Sequence, residues 1–418
     1  METTATSATL EKKFSSYQVL VIVLLALTQF TVVLDFMVMS PLGDMLIKSM
    51  SLTTSEFGFA VSGYALSAGV SGFLTAGFAD RFDRKKLLLF FYIGFIAGTL
   101  FCGLASTYFM LLSARIITGL FGGVIGSISM AILADLFPIH QRGRAMGFMQ
   151  MGFGASQVLG IPISLYMANH WGWQSPFLMI VGLAAIIWFL TMVNLHPVVK
   201  HLHLKTEKNP ITHLWHTFRQ RSYRMGFLLT ALLSLGGFMM MPWGSAFAVN
   251  NLLVSYEQLP ILFMSSGIAA LIIMPLIGRL SDKIDKVKIF TVAAISMIVI
   301  IIVYTNLKPV PFAAVLILNI IMMTAIMSRI VPAMALVTAL PKMQDRGAFM
   351  SINSSLQQIA GGIAAGVGGM IVVQKTKTSP LEHYNTLGYV IVLIIIANII
   401  QINRVSNLVK AQKHAEKL

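Results

Sequence analysis

Residues Gly77 to Lys86 read GFADRFDRKK, and residues Gly278 to Lys288 read GRLSDKIDKVK. Each charged stretch follows an apolar run long enough to cross a bilayer and precedes another, so Asp80 and Asp282 hold corresponding places in a chain that repeats itself. A second echo, FPIHQRGRAM at Phe137–Met146 against LPKMQDRGAFM at Leu340–Met350, falls in the same register. Outward from these loops, apolar runs lie at about 17–46, 56–79, 87–105, 108–136, 144–168 and 174–195. Six more follow at about 222–252, 258–280, 287–306, 310–340, 347–373 and 384–403. The pattern predicts an all-α membrane protein whose twelve transmembrane helices form two pseudo-symmetric six-helix bundles, residues 17–195 and 222–404. A polar linker, 196–221, joins them, and tails cover 1–16 and 405–418.

Composition agrees. The 418 residues are 56% hydrophobic and 11% charged, a surface that no soluble domain of this size would tolerate in water. The formal charge of +15 sits in short clusters between apolar runs, which argues against a nucleic-acid-binding face. Cys102 is the only cysteine, so neither an intramolecular disulfide nor a cysteine metal cluster can form. Five of the nine histidines fall in the linker, no spaced ligand set is present, and no metal site is expected. A phosphate-binding G-x-x-x-x-G-K-S/T loop is also missing, so direct use of ATP is not expected.

Orientation follows from the basic residues. With the amino terminus inside, 24 of the 30 Lys and Arg lie in inner segments. Lys48, Lys308, Lys375 and Lys377 lie in outer loops, and Arg115 and Arg329 in spans. Both termini and the linker are therefore expected in the cytoplasm. Within the linker, Ile211, Leu214, Trp215 and Phe218 recur at helical spacing, which predicts an amphipathic helix on the inner leaflet. A solvated linker with incidental apolar residues is the alternative.

The first loop resembles the signature between spans two and three of the major facilitator superfamily, through Gly77, Ala79, Asp80, Arg81, Arg84 and Lys85, with Asp83 where the family has glycine. Span four resembles the superfamily's antiporter-type signature through Arg115, Gly119, Gly123, Ala134, Asp135, Pro138, Arg142, Gly143 and Ala145. Asp35 with Pro41 and Leu42 is similar to its D-x-x-x-x-x-P-L element. Gly154, Gly160 and Pro162 are similar to the efflux branches without their tighter G-P-x-x-G-G ending. The resemblance implies the major facilitator fold and a transporter most like the twelve-span drug/proton antiporters. It also implies a conformational latch of Asp80, Arg84, Asp135 and Arg142 at the inner side. A second copy at Asp282 and Lys286 is expected to be weaker, because Thr338 stands where Asp135 would align. Alternatively, the charged loops only enforce orientation.

Asp35 lies in TVVLDFMVMSPL, Thr31–Leu42, deep inside the first apolar run. A carboxylate there costs about 2.5–3.5 kcal/mol on insertion scales and reads as functional. At about 1.5 Å per residue, Asp35 and Arg115 reach overlapping depths, so a reversible pair is expected, with Asp35 as the proton-coupling acid. A permanent ion pair between spans one and four is the alternative. The expectation places Asp35 in a wet central cleft flanked by both Arg115 and Arg329. Arg329 reads either as a contact for an anionic substrate or as a gate residue bonded to carbonyls. Met39, Met239, Trp243, Gln157 and Gln357 are expected in the substrate cavity, pliable thioethers alongside a few polar groups. The resulting expectation is proton-coupled efflux of a lipophilic or amphipathic small molecule by alternating access. The alternative is carriage of a defined metabolite, a sugar or organic anion, by uniport, symport or exchange. No enzyme and no cofactor are expected, with the proton gradient as the energy source. The partners are a small-molecule substrate, protons and the lipid bilayer, without nucleic acid, for a monomer in a bacterial inner membrane.

Overall fold

A computed structural model describes residues 14–75, 81–199, 202, 210–342 and 345–415. The first half holds α1 (Ser16–Val38), α2 (Gly43–Met50), α3 (Thr54–Thr75), α4 (Arg84–Gly103), α5 (Tyr108–Leu136), α6 (Ile139–Ala155), α7 (Ile161–Trp171) and α8 (Ser175–Asn194). After α9 (Pro210–Arg219), the second half holds α10 (Arg221–Met240), α11 (Gly244–Asn250), α12 (Leu259–Lys283), α13 (Lys286–Thr305), α14 (Phe312–Val337), α15 (Arg346–Ile371) and α16 (Tyr384–Ala415). Among the described residues, eleven helical spans are long and apolar enough to cross a membrane. The twelfth, α15, is of similar length but carries Asn353, Gln357 and Gln358. Large apolar side chains such as Phe109, Ile186, Val292 and Leu393 stay exposed, as lipid-facing residues do.

Local chemistry sets the helix starts. Ser15 caps α1 in a reciprocal box with Gln18. Asp83 and Asp285 cap α4 and α13 by accepting from the backbone N–H of Lys85 and Val287, so the repeated charged loop ends each time in the same helix start.

Three apolar runs that read as continuous are broken. The first stops at Val38 and restarts at Gly43, and the seventh stops at Met240 and restarts at Gly244 after a tight turn of three residues. Pro41 and Pro242 explain both breaks, since each lacks an N–H and its ring crowds the carbonyl four residues back. The fifth run carries a π-helical bulge, Ser156–Gly160, just before Pro162.

We call the end of the bundle at which α1 starts and α16 finishes the terminal face. The two halves meet chiefly along α3 and α15, which run antiparallel, and along α7 and α12. The α3–α15 seam is made of small residues. A methyl on Gly58 would come within 2.9 Å of the Ala365 carbonyl, and one on Gly369 within 2.9 Å of the Thr54 carbonyl.

The linker helix α9 docks on the second half. Leu214 and Thr217 are buried, Phe218 stacks on Phe227, Phe227 stacks on Phe349, and His213 Nε2 lies 3.0 Å from Asp345 Oδ1. Trp215 is exposed. The apolar stripe thus divides, with Leu214 and Phe218 turned into protein by the aromatic partners that α10 and α15 supply.

Candidate functional site

The site begins with a charge pair inside the first bundle. Asp35 on α1 accepts from Arg115 Nη1 at 2.8 Å and from Thr99 Oγ1 at 3.1 Å. Both charged side chains are fully buried. Arg115 also lies over the Tyr64 ring, 4.5 Å from its centroid, while its Nε and Nη2 have no hydrogen-bond partner among the described residues. Close helix approach makes this possible. A methyl on Gly119 would collide with the Tyr64 carbonyl, so the glycine lets α5 bring Arg115 against α3.

Above the pair, aromatic rings reach the second half. Phe36, next to Asp35, packs 5.2 Å from Tyr64 and 5.7 Å from Phe238 of α10, centroid to centroid. A change in Asp35 therefore acts one residue away from a contact between the halves. Chemically, a carboxylate held by one guanidinium and one hydroxyl can take up a proton only if Arg115 finds another counter-charge or water, because an uncompensated buried ion costs several kcal/mol.

Arg329 is not part of this cluster, contrary to the expectation that it flanks Asp35. It is buried inside the second bundle, its guanidinium 5.6 Å from the Phe290 centroid, with Nε and Nη2 unpartnered among the described residues. The reason is packing, since α14 sits against α12 and α13 of its own half. Met39, Met239 and Trp243 are buried in packed core rather than lining open space, and Trp243 stands edge-on to Phe57 of the first half. Gln157 lies in the π bulge, its Nε2 3.7 Å from Met37 Sδ, and Gln357 is exposed on α15.

At the terminal face, Arg84 Nε reaches Asp135 Oδ2 at 2.6 Å, and Arg142 Nε donates to the Phe137 carbonyl at 2.9 Å. Asp80 lies outside the described residues. In the second copy Lys286 Nζ donates to the Ser281 carbonyl at 2.8 Å, Thr338 bonds its own helix, and Asp282 is exposed. Asp285 takes a different partner, Lys410 of α16, at 3.2 Å. The Val287 N–H foremost, with Lys410, holds its carboxyl below the usual range.

Sequence reading missed the polar cluster at the opposite face. There the two proline breaks touch. Ser40 Oγ donates to the Met241 carbonyl, and Ser245 Oγ donates to the Ser40 carbonyl at 2.7 Å. Next to them Asp44, fully buried on α2, accepts from Asn250 Nδ2 at 2.5 Å, from Tyr256 OH and from Lys48 Nζ at 2.8 Å. Burial, then the Asp44 hydrogen bond and charge, push the Tyr256 hydroxyl pKa well up. Thr54 Oγ1 donates to the Val372 carbonyl at 2.7 Å, and Asn169 Nδ2 to the Tyr256 carbonyl at 3.0 Å. These bonds join the halves on that face. The one sequence signal was the pair of prolines 201 residues apart, near Asp44 and Asn250.

Twelve spans in two repeated bundles, with a buried charge pair beside the line where they meet, define a polytopic membrane transporter. The Major Facilitator Superfamily model matches residues 25–372, and the chain belongs to that family. It is 24% identical to the uncharacterized MFS-type transporter YbcL of Bacillus subtilis over 378 residues, which cover 89% of this chain and 94% of that one. It is 28% identical over 239 residues to the multidrug resistance protein MdtG of Klebsiella pneumoniae, covering 54% of this chain and 55% of that one. Its fold matches the crystal structure of a D-xylose–proton symporter with a TM-score of 0.75 at 17% identity, over 92% and 97% of the two chains. The protein is a transporter and not an enzyme; transporters of this family bind small molecules, typically work as monomers and generally need no cofactor.

Proposed function

We propose that this transporter exports a lipophilic or amphipathic small molecule in exchange for protons, with the terminal face in the cytoplasm of a bacterial inner membrane. One observation carries the reading: the sealed Asp35–Arg115 pair, whose neighbour Phe36 packs on Phe238 of the other half. In the cycle Asp35 takes a proton when the site opens to the acidic side, Arg115 turns to water or substrate, and the packing of Phe36 on Phe238 changes. Return of the pair expels the proton on the other side. Phe36, Phe238 and the thioether of Met37 supply an apolar, repackable surface that Met239 joins when its packing opens, and Gln157 and Gln357 supply polar contacts to it. Met39 and Trp243 join that surface when the opposite face opens. The match to a protein named for multidrug resistance supports this substrate class.

Asp80, Arg84, Asp135 and Arg142 latch the terminal face when the halves meet there, with Asp282 and Lys286 as the lesser copy. The bonds around Ser40, Asp44 and Thr54 hold the opposite face shut in the present conformation.

Substrate-induced proton movement in proteoliposomes tests the coupling. Asp35→Asn is expected to lose gradient-driven flux and keep substrate exchange. Unchanged gradient coupling in that variant rejects the role given to Asp35.

A second reading rests on Arg329. A buried guanidinium with two nitrogens unpartnered among the described residues is suited to an anionic metabolite that enters the second bundle. A thermal-shift screen of organic anions against lipophilic cations separates the readings. Stabilisation by anions that disappears in Arg329→Ala favours the metabolite.

A further inference from the structure

Docking of α9 commits its apolar side chains to protein. Leu214 is buried, Phe218 stacks on Phe227, and His213 bonds to Asp345 just before α15, whose other oxygen accepts from Tyr223 OH of α10 at 2.8 Å. The side turned outward is a different stripe. Thr212, Trp215, His216 and Arg219 are all exposed, and their spacing puts them on one helix face. Trp215 is 59% exposed and leans on Phe218 at 6.1 Å. Tryptophan, with an apolar body and a polar N–H, suits the boundary between lipid and water.

The adjoining helix fixes the height of this face. On α10, Arg221, Arg224 and Leu228 are exposed at i, i+3 and i+7, a single stripe that changes from cation to hydrocarbon. Leu228 faces lipid, so Arg224, about 6 Å nearer the terminal face, lies where hydrocarbon gives way to headgroups. On α16, Gln401 Nε2 donates to the Met225 carbonyl at 2.9 Å, which brings the exposed Arg404, a turn further on, to the same height. Among the described residues, Arg219, Arg221, Arg224 and Arg404 pair with no carboxylate, and the neighbouring Asp345 is already held by His213 and Tyr223. Guanidinium forks match phosphate oxygens, and a cationic cluster at headgroup height attracts anionic lipid.

We propose that the outward stripe of α9 and the start of α10 form a binding site for the phosphate headgroup of an anionic phospholipid in the leaflet at the terminal face. Arg219, Arg221 and Arg224 take the phosphate oxygens, Arg404 adds charge at the same height, and Trp215 lies against the glycerol and upper acyl chain. The lipid holds α9 on the second bundle from outside, as Phe218 and His213 hold it from within. Attachment of the linker to the membrane is therefore electrostatic, because the apolar stripe that would enter lipid is packed against α10 and α15. The site is independent of the substrate and of proton coupling.

The test places a bimane fluorophore at Thr212→Cys, an exposed position on the stripe, with the buried Cys102 as the only native thiol. The labelled chain is reconstituted in phosphatidylcholine nanodiscs that carry equal minor amounts of brominated phosphatidylglycerol or brominated phosphatidylcholine, and quenching gives their relative association. The parent is expected to prefer the anionic lipid by at least about five-fold, the factor that one arginine near a charged surface supplies. Joint substitution of Arg219→Gln, Arg221→Gln and Arg224→Gln is expected to bring the preference close to one. An equal loss of charge elsewhere on the terminal face of the same half, by Arg279→Gln, Lys283→Gln and Lys288→Gln at exposed positions, is expected to leave it in place. Soluble glycerol 3-phosphate is expected not to compete. The proposal is overturned if the parent shows no preference, if the α9–α10 triple variant keeps it, if the control triple variant loses it equally, or if glycerol 3-phosphate abolishes it, which would make the ligand a free phosphate ester.

Discussion

The two halves treat their buried arginine differently. Both guanidiniums lie against an aromatic ring and leave Nε and Nη2 without a partner among the described residues, but Arg115 has the Asp35 carboxylate at 2.8 Å and, among the same residues, Arg329 has no acid against it. The same asymmetry recurs at the terminal face, where Arg84 meets Asp135 and its counterpart Lys286, among the described residues, meets the Ser281 carbonyl. Duplication preserved the scaffold, down to the paired proline breaks and paired helix caps, while ionisable chemistry was kept in one copy and reduced in the other. A buried charge with a partner contributes to the folded state; one without a partner is tolerated because it does something else.

The contrast makes opposite predictions for two similar substitutions. Arg115→Met leaves Asp35 ionised and alone in the protein interior, and is expected to destabilise by about 3–5 kcal/mol, read as a large drop in melting temperature in detergent. Arg329→Met removes a guanidinium whose Nε and Nη2 have no hydrogen-bond partner among the described residues. Stability is expected to rise by about 1–3 kcal/mol in the same assay, the cost of the unpaired donors being relieved. If both substitutions lower the melting temperature equally, the distinction between the halves is lost.

The helix caps sharpen the comparison. Asp83 accepts at 3.0 Å from the Lys85 N–H and at 3.0 Å from the Val198 N–H, so it fastens the start of the linker as well as α4. Asp285 fastens α13 and pairs with α16. Alanine at either position is expected to cost about 1 kcal/mol, with Asp83→Ala the larger because two backbone donors lose their acceptor. The Asp285 contribution also has a sign in pH. Its carboxyl is held below the ordinary value near 3.9, so the stabilisation is complete above that value and fades as pH falls through the lower folded value. The difference in melting temperature between the parent and Asp285→Ala is expected to shrink only in strong acid.

Smallest is the effect of the terminal-face cations. Lys286→Gln is expected to change stability by less than about 0.5 kcal/mol, and Arg84→Gln by about 1 kcal/mol, because only the latter breaks a partly buried ion pair. Equal effects would mean that the two loops still do the same work.

How much of this the sequence carried depends on what kind of information was needed. Span number, duplication and family were legible because lipid demands long apolar runs and the charged loops recur in register. The pairing of Asp35 with Arg115 was legible as matched depth. Depth arithmetic gives height along a helix but not rotation about it, which is why Arg329 was placed beside Asp35 and lies instead against Phe290. Asp44 was hidden for another reason. It sits at the outer rim of the first apolar run, two residues from its end, where an acid reads as solvated, and its burial depends on Asn250 and Tyr256, some two hundred residues away. The π bulge at Ser156–Gly160 left no periodic trace, since one extra residue in a turn does not disturb an apolar run.

The seam between α3 and α15 bears on how the protein moves. Gly58, Gly69, Gly362 and Gly369 present bare backbone to the other helix, with the Ala365 and Ser355 carbonyls close against them. Ile359 seats in the hollow at Gly69 and Leu66 in that at Gly362, while backbone meets backbone at Gly58 and Gly369, a shallow contact on which the halves can roll while staying in van der Waals touch. The energy barrier to reorientation then comes from the polar fastenings at the rims, and the axle itself turns with little friction.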